Sequence, residues 1–255
     1  MVECRTVNSD VAGSMPATPA KSGKLIVGSM HIGNIADMSQ RMLDYFVSSD
    51  VIFSDDSEIN AINIIKQLKI KKDIVVLKSK DSTYADSNQI KLFKEYIESG
   101  KTVLLVASEG LIGVADPGSQ FIQECIKNNF EYVVVPGPNA FLNAYVISGF
   151  VGGDITISHG IHTVIENLKK HKDAAGSFVT PLYADTLQEV LNYLIKNYSF
   201  EKVKKQIAIC CNMTLPTEFS VIGDIDFVAN HDKIKQINDN TRIVLVVSNF
   251  MVKDN

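Results

Sequence analysis

Val103-Leu104-Leu105-Val106-Ala107-Ser108-Glu109-Gly110-Leu111-Ile112-Gly113-Val114-Ala115-Asp116-Pro117-Gly118-Ser119 is the stretch whose reading decides the fold. An unbroken apolar run stops at small residues, and Gly110, Gly113 and Gly118 follow. Such a run suits a strand buried on both faces, and a glycine-rich exit into a helix is where open α/β sheets place ligands. The pattern recurs in shorter form where Tyr132-Val133-Val134-Val135 runs into Pro136-Gly137-Pro138-Asn139-Ala140. It also occurs where Lys24-Leu25-Ile26-Val27-Gly28 opens into the loop Ser29 to Asp37. Three such loops suggest one shared cleft, and hence an enzyme.

Working outward, apolar runs and helical periodicities alternate. Ser39 is placed to cap a helix with Met42, Leu43, Phe46 and Val47 on its apolar face. Strands are predicted at 51–53 and 74–77, and helices near 58–68, 89–99, 119–129 and 139–148, with Gly100 stopping the second of these. This βα alternation implies a largely parallel sheet flanked by helices. After Gly152-Gly153 the texture changes. Strands are predicted at 155–158, 177–180, 206–210 and 242–247, and Thr186-Leu187-Gln188-Glu189 reads as a capping box opening a helix. The expected architecture is α/β, in two α/β domains. Residues 23–138 form the mostly parallel one and residues 139–255 one with a mixed sheet, behind a flexible leader over 1–22. That leader has no apolar core and so does not read as a signal peptide.

The composition is that of a globular protein. The chain has 255 residues, 45% of them hydrophobic, and a formal net charge of −4. An acidic balance argues against a whole-surface electrostatic grip on nucleic acid. The lysine clusters at Lys66, Lys69, Lys71, Lys72 and at Lys202, Lys204, Lys205 read as solvated surface. Cys4, Cys125, Cys210 and Cys211 have neither disulfide nor zinc spacing and read as small hydrophobes in a reducing, cytoplasmic setting. Cys210 and Cys211 are adjacent in a strand and should face opposite sides. No apolar run approaches the roughly 20 residues of a membrane span.

The glycine loops match neither a P-loop nor a dinucleotide-binding fingerprint. They either let the backbone approach a flat polar ligand or merely permit tight turns. Asp116, held extended by Pro117, either caps the following helix or reaches a ligand; Asn34 and Asp37 face the same choice. His31, His159 and His162 have no partners at metal-ligand spacing, so no metal is expected. No Gly-x-Ser-x-Gly elbow is present for a serine hydrolase.

Taken together, these segments resemble the tetrapyrrole-methylase superfamily of S-adenosylmethionine (SAM) dependent methyltransferases, closest to its small-subunit ribosomal RNA 2′-O-ribose branch. Ile32-Gly33-Asn34-Ile35-Ala36-Asp37 is similar to that branch's Ile-Gly-Asn-Leu-x-Asp loop. Ser108 to Gly118 resembles its glycine run ending in Asp-Pro-Gly, and Pro136 to Ala140 its Pro-Gly-Pro-Ser-Ala. Asn212-Met213-Thr214-Leu215-Pro216-Thr217-Glu218 resembles the superfamily's Asn-x-Thr-x-Pro-x-Gln/Glu element. Several positions depart: His31 replaces a proline, Ser54-Asp55-Asp56-Ser57 lacks an arginine, and Thr180 to Asp185 replaces Tyr-Glu-Ser-Pro-His-Arg. Cys211 to Leu215 likewise stands where the branch has Arg-Glu-Leu-Thr-Lys.

The resemblance implies that SAM binds in a cleft between the two domains. Ser108, Gly110, Gly113 and Asp116 would then contact its methionine and ribose, while Pro181, Tyr183, Asn212, Met213 and Thr214 flank its adenine. His31, Asn34 and Asp37 would line the acceptor side, with His31 or Asp37 a candidate base. The acceptor is RNA or a small molecule of the corrin or porphyrin kind, and the assembly a homodimer. A non-catalytic binding module on the same fold is the third reading.

Overall fold

A computed structural model describes residues 23–248 apart from 56–58, 78–84, 115, 152, 161–162, 172–175 and 199–204. His162, Lys202, Lys204 and Cys4 therefore lie outside the described residues.

The first sheet is built from β1 (Lys24–Gly28), β2 (Val51–Ser54), β3 (Asp73–Val76), β4 (Val103–Val106) and β5 (Glu131–Val134). Its strands are all parallel, in the order β3-β2-β4-β1-β5. The middle strand β4 is apolar at every position because both faces are covered. Leu25, Val27, Phe53 and Leu105 pack on one face against Phe93 of α3 (Ser87–Glu98) and Phe121 of α4 (Ser119–Asn128). Ile26, Ile52, Leu104 and Val106 pack on the other against Met42 and Phe46 of α1 (Gln40–Ser48) and Ile64 of α2 (Ile59–Leu68). Ser39 caps α1 as expected, accepting the Met42 N–H at 3.2 Å. Helix α3 starts earlier than the periodicity suggests, because Asp86 and Gln89 form a reciprocal capping box ahead of the apolar stripe.

The second sheet has the order β6-β7-β10-β8-β9, with β6 (Ile155–Ile157), β7 (Ser177–Leu182), β8 (Gln206–Cys211), β9 (Phe219–Asp224) and β10 (Ile243–Ser248). Only β6 and β7 run parallel, so the mixed character expected for this half holds. One face packs under α7 (Ala184–Tyr198) and α8 (Ile225–Asn230), with Leu191, Leu194 and Val228 meeting Phe178, Ile209 and Leu245. The other face, carrying Val179, Ala208, Cys210, Val244 and Val246, packs against Ala144 of α5 (Ala140–Ser148) and Ile32 of the β1 loop. Cys210 and Cys211 are buried in these two opposite clusters, as the alternation of a strand requires.

Thr186 does not open its helix. Helix α7 begins at Ala184, and the Thr186 hydroxyl donates back to the Tyr183 carbonyl at 3.0 Å from inside the first turn. The chain turns directly from the end of β7 into the helix, which places Thr186 too late to act as a cap. Strand β9 and helices α6 (Val164–Lys170), α8 and α9 (Asp232–Lys235) were not foreseen, being short and weakly patterned.

Candidate active site

The three glycine-rich loops do meet. The Met30 N–H donates to the Gly110 carbonyl at 2.8 Å, joining the β1 and β4 loops. The Ser29 hydroxyl donates to the Pro138 carbonyl at 2.9 Å, joining the β1 and β5 loops. Gly110 holds φ +66°, a conformation that favours glycine. These contacts fix the strand-end loops of the first sheet into one rigid edge.

That edge faces the second sheet. The backbone N–H of Asn34 donates to the Thr214 hydroxyl at 2.9 Å. A Cβ at Gly33 would stand 2.6 Å from that hydroxyl, so only glycine permits the approach. Asn212 (φ +49°) and Thr214 (φ +65°) are both left-handed and bend the β8 exit towards the first sheet. Asn212 also braces the start of β10, its N–H donating to the Arg242 carbonyl at 2.9 Å and its Oδ1 accepting the Arg242 N–H at 3.0 Å. The Arg242 side chain then crosses the cleft, ion-pairing with Glu109 and donating to the Ile32 carbonyl at 3.3 Å.

A cavity of about 250 Å³ lies between the two sheets. Its walls are apolar, formed by Ile32, Phe141, Leu182, Met213 and Val244 among others, with Glu109 and Arg242 as its charged groups. Such a site, largely apolar with a few convergent polar groups, suits a small organic ligand. Of the residues singled out in the sequence, Pro181, Tyr183 and Met213 line this cavity. Asn34, Asn212 and Thr214 serve instead as its scaffold. Ser108 sits beside it with its carbonyl accepting from Asn60 at 2.7 Å. Gly113 and Asp116 lie farther along the loop at the start of α4. Gly118, not Asp116, is the N-cap of α4, and no side chain caps that position.

His31 and Asp37 stand at the rim formed by the β1 loop. The Nδ1 of His31 is buried and has no hydrogen-bond partner. Burial and the neighbouring Arg242 charge hold its pKa below the usual value, outweighing Asp37 and a Gly33 backbone hydrogen bond. Its imidazole is therefore neutral at neutral pH. Burial pushes the Glu109 carboxyl above its usual range; Arg242 opposes this and nearby Asp55 adds to it. Burial likewise pushes the Cys210 and Cys211 thiols up to about 12, which leaves them unreactive. Among the described residues, no group of three His, Cys, Asp or Glu side chains is placed to hold a metal ion.

Glu109 and Arg242 were missed by sequence reasoning. Glu109 stood inside the glycine run and Arg242 at the edge of a predicted strand, so neither spacing linked them.

Two α/β sheets closing a small-molecule cleft at their strand-end loops define a ligand-binding α/β enzyme fold. Solved structures share it. Uroporphyrin III C-methyltransferase from Thermus thermophilus superposes with a TM-score of 0.60 over 89% of this chain and 97% of its own, at 13% identity. The methyltransferase CobJ gives 0.61 over 92% and 97%, at 15% identity. The Thermus enzyme has also been solved in complex with S-adenosylhomocysteine. Residues 26–229 match the family of tetrapyrrole (corrin/porphyrin) methylases. The chain belongs to that family and is a SAM-dependent methyltransferase.

Relatives called ribosomal RNA small subunit methyltransferase I lie nearby. One from Thermotoga maritima is 27% identical over 179 residues, covering 68% of this chain and 78% of the relative. One from Rickettsia prowazekii is 25% identical over 235 residues, covering 92% and 81%. Others align over about half their length, as does that of Mesomycoplasma conjunctivae, at 52%.

Proposed function

We propose that this methyltransferase acts on RNA, methylating a ribose 2′-hydroxyl of the small-subunit ribosomal type, from SAM held between the two sheets. The supporting observation is the interlocked β1 loop: the segment similar to the ribosomal RNA methyltransferase branch, Ile32 to Asp37, is pinned to Thr214 beside the cavity. The names of the relatives point to the same acceptor.

The cavity fits the cofactor by its apolar walls, its charged end and the orphaned His31 nitrogen at the rim. Pro181, Tyr183 and Met213 would hold the adenine, and the backbone from Ser108 to Gly113 the ribose and methionine, with Asp116 at or near the ribose. When bound, SAM supplies an electrophilic methyl group on a sulfonium. The residues around it act chiefly by alignment. Fixing a nucleophile about 3 Å from its target can supply about 7–11 kcal/mol of a barrier. Neutral His31 is the residue best placed to accept the proton of an attacking hydroxyl, Asp37 supporting the resulting charge and Asn34 shaping the loop.

The packing of α5 on the second sheet supports a division at 138/139. A homodimer is supported by large apolar side chains left in solvent, among them Val146 and Val151, which are 75% and 84% exposed. No described helix is long and apolar enough to cross a membrane; the buried free cysteines support a cytoplasmic setting.

The test is transfer of labelled methyl from SAM to unmodified small-subunit ribosomal RNA, with a uroporphyrinogen acceptor in parallel. Labelling of RNA at a ribose is expected. Labelling of the tetrapyrrole alone would replace this reading with a small-molecule one, and no binding of SAM by titration would leave a non-catalytic module.

A further inference from the structure

The charged groups of this largely apolar cavity are Glu109 and Arg242, and these two come from opposite walls. Glu109 belongs to the β4 loop of the first sheet and Arg242 to the residue preceding β10 of the second. Neither is placed there by chance of a flexible surface. The Arg242 backbone is held on both sides by Asn212, and its guanidinium is steadied by the Ile32 carbonyl. Asp55, which is 4% exposed, lies close enough to act electrostatically on Glu109, so the Glu109 side of the cavity carries negative potential.

The pair is partly exposed, and an ion pair so open to solvent adds little stability. It does present one donor set and one acceptor set, side by side, in an otherwise apolar cavity. A zwitterion offers the complementary pair. Resting on the SAM reading above, we propose that Arg242 and Glu109 select the cofactor by its amino-acid end, Arg242 exchanging Glu109 for the α-carboxylate and Glu109 taking the α-ammonium. Each charge keeps a partner throughout the exchange. A ligand with the adenosyl part but no amino-acid end has nothing to exchange. It leaves the protein pair in place and gains only the apolar walls.

The experiment is calorimetric titration of the full chain with S-adenosylhomocysteine and with 5′-methylthioadenosine, which lacks the α-carboxylate and α-ammonium. The wild-type protein should bind the first at least about tenfold more tightly. Arg242→Met and Glu109→Gln should each lose most of that preference, mainly by weakening S-adenosylhomocysteine. Arg242→Lys, which keeps the charge but not the planar fork, should retain an intermediate preference. If Arg242 merely braces the two sheets, Arg242→Met will weaken both ligands alike and keep their ratio, and the proposal is overturned while the cofactor reading stands. If the wild-type protein binds neither ligand, both fail. Should Arg242→Met not fold, Glu109→Gln and Arg242→Lys give the same ratio test.

Discussion

Asn34 and Thr214 join the two halves of the molecule through one hydrogen bond, backbone N–H to hydroxyl at 2.9 Å. Thr214 makes this bond from a left-handed conformation, φ +65°, that a β-branched residue tolerates poorly. Its own N–H donates to the Glu218 carboxylate at 2.6 Å, which holds the turn. Strain of this order, about 1–3 kcal/mol, is characteristic of functional sites. Thr214→Gly should therefore raise the melting temperature or leave it unchanged while lowering methyl transfer. A variant that loses stability instead would show that the hydroxyl serves the fold alone.

Gly33 allows that approach. A methyl group there would meet the Thr214 hydroxyl at 2.6 Å and the Met213 carbonyl at 2.8 Å. Neither backbone nor a pinned hydroxyl gives way cheaply. Gly33→Ala should cost about 1–3 kcal/mol by denaturant unfolding and weaken cofactor binding, because it pushes the β1 loop off the second sheet. Unchanged binding would mean that the two sheets need not close for SAM to bind.

Much of this was legible in the sequence, and the pattern of success has a physical basis. The parallel sheet announced itself through runs such as Val103 to Val106, because a strand covered on both faces cannot alternate. Ser39 and Gly100 marked helix ends through local chemistry. Convergence of the glycine loops was foreseen from their shared position at strand ends. The Glu109–Arg242 pair was not, because it joins residues far apart in sequence and neither stands out locally. Thr186 misled for the converse reason: its local pattern is that of a cap, but the end of β7 set the helix start.

Asp116 offers a direct test of the cofactor site. Gly118, not Asp116, holds the N-cap position of α4. Asp116→Ala should weaken SAM binding about tenfold. Normal binding by calorimetry would remove Asp116 from the cofactor site.

His31 gives a pH signature. Its folded pKa lies below the usual 6.5, so the unfolded chain binds more protons in the window beneath that value. The corresponding stability is present above pH 6.5 and is lost as pH falls through the folded pKa. As a base, His31 must be neutral, so kcat/KM should be level near pH 7 and fall on the acid side below 6.5. In His31→Asn the acid limb should disappear along with most of the rate. An acid limb that survives the substitution would assign the titration to another group.

The apolar face on the outside of the cleft is the remaining feature that asks for a partner. Leu142 and Val146 stand one helical turn apart on α5 and are 47% and 75% exposed. The edge strands of the two sheets, β5 and β6, expose Tyr132 and Val134, and Ile155 and Ile157. An open edge flanked by apolar side chains invites pairing, and a twofold copy of the same face satisfies it without leaving an open surface. Val146→Glu places a charge in the middle of that face while touching no buried core. Light scattering should show a dimer for the wild-type protein and a monomer for the variant, with the circular dichroism of the two alike. A wild-type monomer at micromolar concentration would leave this face to some other partner.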